Sequence, residues 1–371
     1  MTDSLTKKLT AFHADLPLEQ AHTLPAEWYT DADVYALERQ AIFGDSWQMV
    51  GRAAEVAEPG SFLTADIAGE PVLVVRDEAG VLRAFSNVCR HRAAPLATES
   101  CGKASRLRCR YHGWTYDLTG RLRGAPEFDG VEGFRREENG LPVLAVAVWG
   151  PWVWVHCGSR PPAVADIFAP LPERVAPSDL ATLHFVERRE YQLACNWKVY
   201  VDNYLDGGYH VHTIHPGLAG VIDYALYRTE VHAWTSVQIS PLKTAAAGDA
   251  TARTRTGDAA QYWWVYPNFM VNLYQGVMDT NLVLPLGPDR CRVVFDFYFV
   301  QASGAEFEAY TRESMSVADR IQQEDMLICE QVQRGLGSRF FSTGRFSVRR
   351  EGGAYHFHQL LGRRLQTAVA P

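Results

Sequence analysis

Two short segments, Cys89-Arg90-His91 and Cys109-Arg110-Tyr111-His112-Gly113-Trp114, restrict this chain more than any other feature. Each brings one Cys and one His within a few positions, and 17 residues separate His91 from Cys109. Thiolates and imidazoles are soft to borderline donors, suited to zinc or iron. Zinc fingers usually keep the two Cys together and the two His together. Here each loop offers one of each, as C-x-H and C-x2-H. That split suits a two-iron, two-sulfide cluster in which one iron takes both thiolates and the other both imidazoles. Cys89, His91, Cys109 and His112 are therefore expected to hold such a cluster. Cys101 has no partner at matching spacing and reads as a free thiol. Cys157, Cys195, Cys291 and Cys329 read as small buried hydrophobes. Seven cysteines at uneven spacing do not make a disulfide framework in a chain of 371 residues.

The texture around these loops predicts the domain plan. Residues 45–158 run in short alternating or apolar stretches such as SFLTADI, EPVLVVRD and VLAVAVWGPWVWVHC, broken at Gly60, Gly69, Gly80 and Gly120. That spacing predicts a compact all-β domain. Residues 1–44 read as a helical lead-in, with Thr30 and Asp33 placed like a capping box before VYALERQAIF. Pro161-Pro162 marks a linker. Residues 163–371 mix strand-like runs, YWWVYPNFMVNLY and RVVFDFYFV, with a long helix over 304–334 stopped by Gly335. The small polar stretch 245–257 reads as a surface loop. The class is α+β.

A second constellation lies in CNWKVYVDNYLDGGYHVHTIHP, residues 195–216. His210 and His215 are five apart, about 140° around a regular helix, so their rings converge only where the helix ends or bulges. Gly207-Gly208 and Pro216 supply that irregularity. His212, two residues on, faces away. Two imidazoles leave a metal under-ligated, and a carboxylate completes the facial triad of non-haem ferrous oxygenases. Asp325 sits within a helical stripe of Val317, Ile321, Ile328 and Val332, where a carboxylate is costly unless paired or metal-bound. A buried salt bridge is the alternative use. Glu324 and Asp319 lie off that stripe and read as solvated.

The balance of charge sets limits on partners. A net charge of −7, interspersed rather than blocked, argues against nucleic acid. No stretch reaches the roughly 20 apolar residues of a membrane helix; Leu144–Val155 is cut by Gly150-Pro151. The polar N-terminus does not read as a signal peptide, so a cytoplasmic protein without a membrane partner is expected. With no flavin or dinucleotide fingerprint in the chain, electrons must come from another protein.

Taken together, CRH…CRYHGW, NWKVYVDNYLDGGYHVHTIHP, the helix IQQEDMLICEQVQRGL and the lead-in WYTDADVYALERQAIF resemble the α subunit of Rieske non-haem iron oxygenases. The resemblance implies an all-β Rieske [2Fe-2S] domain beside a helix-grip α+β catalytic domain. It implies Cys89 and Cys109 on one cluster iron, His91 and His112 on the other, and His210, His215 and Asp325 on a mononuclear Fe(II). It further implies a homotrimer in which the cluster of one subunit serves the iron of its neighbour. The family's bridging acid stands three residues before the first iron His, where this chain has Gly207. Asp206 is its expected substitute and Asp202 the fallback. Asn203 resembles a family residue near the iron. The implied reaction is O2-dependent hydroxylation of an organic substrate, in the first instance aromatic ring hydroxylation or dihydroxylation. NAD(P)H would act indirectly, through a separate reductase or ferredoxin. The alternative is monooxygenation of a quaternary or N-methyl amine, for which Tyr262-Trp263-Trp264 and Phe269 are candidate cage residues. A Rieske electron carrier without oxygenase activity is the rival of another class.

Overall fold

Glycine-punctuated apolar runs become strands where the pattern says they should. In the computed structural model, which describes residues 3–175, 180–243, 249–300 and 304–370, the chain forms two compact units. The smaller comprises residues 43–164; the larger joins residues 1–42 to residues 165–371. The lead-in is therefore part of the larger unit.

The smaller unit holds a seven-stranded antiparallel sheet in the order Gln48–Arg52, Trp152–His156, Val143–Trp149, Leu82–Ser86, Glu70–Arg76, Ser61–Ile67, Cys101–Lys103. Trp152–His156 is buried along its whole length, which accounts for its unbroken apolar sequence. A three-stranded sheet of Leu107–Arg108, Thr115–Tyr116 and Leu122–Gly124 brackets the second Cys/His loop. Leu73, Val75 and Phe85 pack with Trp114 and Tyr116 in one core. Gly120 closes the turn between the last two short strands at φ +84°, where a Cβ would lie 2.5 Å from the Phe85 ring.

The larger unit is built on a second seven-stranded antiparallel sheet, ordered Leu183–Leu193, Arg290–Val300, Val277–Gly287, Phe269–Tyr274, Ala259–Val265, Thr235–Pro241, Arg228–Val231. Its principal helices are Trp197–Tyr204, Ala305–Leu336 and Gly352–Val369. Among the described residues no helix is long and apolar enough to cross a membrane.

Several local expectations are corrected. The lead-in helix Ala32–Glu38 is capped by Asp31, whose carboxylate accepts the Asp33 N–H at 2.7 Å, while the Thr30 hydroxyl turns back to the Ala26 carbonyl. The long helix ends at Gly337 rather than Gly335, and Val332 is 44% exposed. Its buried face runs through Val317, Ala318, Gln322 and Cys329, rotated so that Ile321 and Asp325 border a cavity. Of the expected loop 245–257, residues 245–248 lie outside the described residues. Ala250–Thr254 is a helix capped by Asp249, and Thr251, Thr254 and Arg255 are buried. Its small polar residues gave no apolar period to read, because its hydroxyls are satisfied by hydrogen bonds such as Thr254 Oγ1 to the Ala250 carbonyl.

One buried charge pair joins the lead-in to the rest of its unit. Lys198 Nζ lies 2.5 Å from Glu38 Oε1, both side chains fully enclosed, and Trp197 Nε1 donates to the other Glu38 oxygen.

Candidate functional sites

In the smaller unit the two Cys/His loops share a backbone design. The Ala93 N–H bonds the Cys89 carbonyl and the Gly113 N–H bonds the Cys109 carbonyl, each four residues on. Both closing residues take left-handed backbones, Ala93 at φ +56° and Gly113 at φ +75°. Cys89 and Cys109 are buried. The rings of His91 and His112 come within 4.6 Å centroid to centroid, and His91 stacks on Trp114 at 5.1 Å. Burial and the neighbouring His112 keep His91 below the ordinary histidine range, so its ring is neutral and carries a lone pair. Its Nδ1 is buried with no hydrogen-bond partner. Burial pushes the Cys89 thiol up, so a thiolate there needs a cation beside it. The hydroxyl of Tyr116 lies 3.5 Å from Cys89 Sγ and accepts the Arg90 N–H. The orphaned nitrogen and two dry thiols fit a bound iron–sulfur cluster.

The larger unit brings His210, His215 and Asp325 together, with one donor atom from each mutually within 4.8 Å. Among the described residues no other three Cys, His, Asp or Glu donors converge so closely.

Helix Trp197–Tyr204 starts at Asn196, whose side chain accepts the Lys198 N–H, and stops at Leu205. Gly207 and Gly208 follow at φ +71° and +70°. These two left-handed residues redirect the chain. They fold Asp206 back onto His210, where its carboxylate accepts the N–H groups of Tyr209 and His210 and the ring Nδ1–H of His210 at 2.5 Å. A Cβ at Gly207 would lie 2.0 Å from the Arg350 carbonyl oxygen, so no acidic residue fits there. His210 and His215 then flank the single turn Val211–Ile214, which ends at Pro216. His212 meets Tyr224 edge to face instead, with ring centroids 4.5 Å apart.

Each of the two converging imidazoles is held by its own carboxylate. Asp206 takes His210 Nδ1, and Glu324 takes His215 Nδ1 at 2.7 Å. The two Nε2 atoms consequently face each other at 3.0 Å, with Asp325 Oδ1 3.1 Å from the second. Two lone pairs and a carboxylate at that separation repel unless a cation lies among them. Burial favours a neutral His215, yet Asp325 and Glu324 outweigh it and hold its pKa above the usual value. Three carboxylates around two imidazoles fit a divalent metal ion. Asn203 Nδ2 donates to Asp325 Oδ1 at 2.7 Å and steadies it. Asp202 lies apart from this centre, accepting from Tyr29 Oη at 2.6 Å and pairing with His358 Nε2 at 2.7 Å.

Glu324 is not solvated as its helical position implied. It rotates toward His215, and an acid next to the expected ligand Asp325 was the available signal. Asp319 is likewise engaged, by Arg189 and Tyr191.

A cavity of about 110 Å³ adjoins the triad. One wall is a cross-strand row, Gln238–Tyr262–Asn272–Asp279, formed by directly paired residues on four strands. Asn272 links it to the helix by accepting from Tyr204 Oη at 2.8 Å, and donates to Asp279 at 2.6 Å. Tyr204, Tyr227, Tyr262 and Tyr274 line the space, all pushed up by burial and hence neutral phenols. Of the expected cage residues only Tyr262 does so. Trp263, Trp264 and Phe269 are fully buried strand-core residues outside the cavity lining.

Both units match known families. Residues 180–367 match the family "Ring hydroxylating alpha subunit (catalytic domain)" and residues 46–135 the "Rieske [2Fe-2S] domain". The chain is 41% identical to a chloroplastic choline monooxygenase of Arabidopsis thaliana, over 98% of this chain and 87% of the relative. It superposes on a solved quaternary ammonium Rieske monooxygenase, described for carnitine oxidation and inter-subunit electron transfer. There the TM-score is 0.84 at 28% identity, covering 95% of this chain and 98% of the other. Naphthalene 1,2-dioxygenase from Rhodococcus shares the fold at a TM-score of 0.79 and 20% identity, over the full length of both chains.

Proposed function

Because the chain belongs to the ring-hydroxylating α subunits that carry a Rieske [2Fe-2S] domain, and so is a terminal oxygenase, we propose that it hydroxylates a quaternary or N-methylated ammonium compound. The observation that carries this reading is the cavity beside His210, His215 and Asp325. Five tyrosines, Tyr200, Tyr204, Tyr227, Tyr262 and Tyr274, and the enclosed carboxylate of Asp279 line it. Tyrosine faces attract a desolvated cation that has no hydrogen to donate. The alkylammonium substrates named for the relatives have that character.

When bound, the cluster supplies single electrons and the ferrous iron activates O2; one oxygen atom replaces a C–H hydrogen as hydroxyl, and the other leaves as water with two electrons and two protons. The chain's own residues prepare that event. Asp206 and Glu324 fix the tautomers of His210 and His215, so that both Nε2 lone pairs point to one place. Asn203 holds the Asp325 oxygen in line with them. Tyr200, with its hydroxyl on Gln322, closes the floor of the cavity against water. In the other unit Cys89, Cys109, His91 and His112 would hold the cluster, and Tyr116 would donate to a sulfur.

A homotrimer is proposed, with the cluster of one subunit serving the iron of the next through Asp206. The exposed His112 ring and the inter-subunit transfer described for the carnitine-oxidising relative support it. Separate reductase chemistry supplies the electrons. A cytoplasmic location is proposed on the free state of all seven cysteines.

The test is reconstitution with a reductase of this class and measurement of O2 uptake against choline, carnitine and benzoate. One atom from labelled O2 should enter an alkylammonium product. Turnover of the aromatic acid with none of the ammonium compounds defeats the proposal.

A further inference from the structure

Arg255 is a buried cation with no direct ion pair among the described residues; its charge acts on the Asp279 carboxylate from beyond ion-pair distance. It is 4% exposed, lines the catalytic cavity, and has no carboxylate among the described residues within ion-pair distance. Its guanidinium is positioned by neutral groups only. One terminal nitrogen donates to Ser314 Oγ at 2.7 Å, the other lies 3.4 Å from the Ser314 carbonyl, and the plane sits 4.8 Å from the Tyr274 ring centroid. Its Nε is enclosed with no hydrogen-bond partner. Asp279, equally buried in the same cavity, accepts from Asn272 and likewise has no cation within ion-pair distance among the described residues. Buried charges are ordinarily paired or bound to a ligand of opposite sign. Here a positive and a negative side chain border one small space without closing on each other.

A zwitterion completes both. Resting on the alkylammonium reading above, we infer that Arg255 is the subsite for a carboxylate carried by the substrate, so that the enzyme prefers a trimethylammonium carboxylate to an alcohol such as choline. The ammonium then lies among the tyrosines on the Asp279 side. Contacts run from there through Asn272 to Tyr204 on the helix that carries Asn203, which is the side of the metal ligands. The carboxylate meets the guanidinium Nε and the hydroxyls of Tyr262 and Tyr274, which are 2.9 Å apart. Choline offers no anion to Arg255, and its ammonium adds a second positive charge to the same space.

The experiment uses the iron-loaded enzyme with its reductase. Values of kcat/KM are compared for glycine betaine, γ-butyrobetaine, carnitine and choline, in wild type, Arg255→Lys and Arg255→Met. Calorimetric binding of the same compounds gives a readout independent of turnover. At least one carboxylate should exceed choline in wild type. The ratio of the best carboxylate to choline should fall by about 100-fold in Arg255→Met, the scale for removing one partner of a buried charge pair. Arg255→Lys should fall between them, because it keeps charge without the planar fork. Choline equal or superior to every carboxylate in wild type overturns the inference and leaves the alkylammonium reading standing. An equal effect of both variants on all four compounds overturns it as well, showing Arg255 to be a packing residue. Failure of all four in wild type removes the alkylammonium reading itself. Should Arg255→Met not fold, wild type and Arg255→Lys still decide the question.

Discussion

Gly207 faces the carbonyl oxygen of Arg350 so closely that a β-carbon would lie 2.0 Å from it. This approach, with the left-handed backbone at φ +71°, sets the turn that delivers Asp206 to His210. Gly207→Ala should therefore dislodge the metal while sparing the cluster. Backbone strain alone amounts to roughly 1–2 kcal/mol, and the backbone must also move. The iron-to-sulfide ratio should drop from about 3:2 toward 2:2 with the Rieske visible spectrum intact. A full complement of iron in this variant contradicts the assignment.

Glu324 should matter almost as much as a ligand. Removing it frees His215 Nδ1 and lets the ring turn. Glu324→Ala should weaken iron binding about 10- to 100-fold, with Glu324→Gln between it and wild type. Competition with a chelator measures this, and wild-type retention of iron by Glu324→Ala would exclude the role.

The enclosed Lys198–Glu38 pair predicts a stability effect far from the chemistry. Burial pulls the Lys198 pKa down against the pull of Glu38, so the ammonium depends on that carboxylate. Lys198→Met leaves Glu38 buried without its cation, and should destabilise the larger unit by about 3–5 kcal/mol. Denaturant unfolding checks this, and replacing both partners by neutral residues should recover part of the loss.

Asp77 gives a pH dependence in the smaller unit. Burial works to raise its pKa, but Arg83 at 2.7 Å and the N–H groups of Val81 and Ala79 hold it below the ordinary carboxylate value. A depressed folded pKa stabilises the fold above the unfolded value of about 3.9, and that contribution disappears as pH falls through the folded pKa. Asp77→Asn should melt below wild type from pH 7 down to about 5, with the two melting curves converging under pH 4. A gap that persists undiminished at pH 3 shows that ionisation is not the cause.

Much of this was legible in the sequence, because metal chemistry demands specific donors at specific spacings. Cys89, His91, Cys109 and His112 stand out by type alone. His210 and His215 required a broken helix, and the glycines and Pro216 declared one. Spacing left Asp202 as a fallback to Asp206; the Arg350 carbonyl supplies the reason that position 207 holds no acid. Glu324 escaped because a side chain about 100° from a buried stripe looks solvated until a partner from another element meets it. Arg255 escaped because its neighbours carry no apolar period. The row ending in Asn272 and Asp279 is a signal visible in retrospect, as polar residues at paired positions inside otherwise apolar strands.

The division of the chain has a consequence for biogenesis. The larger unit is interrupted by the smaller one, so its opening segment emerges long before its partners do. Gln366 on the last helix donates to the carbonyls of Leu9 and Phe12, across more than 350 positions. Such distant closures are slow and leave apolar surface waiting. The inserted β unit completes its own sheets from strands within residues 48–156 and can mature first. A nascent chain stalled far enough past residue 164 for that residue to have cleared the exit tunnel should thus display a folded β unit, tethered to an N-terminal segment that cannot yet find its place.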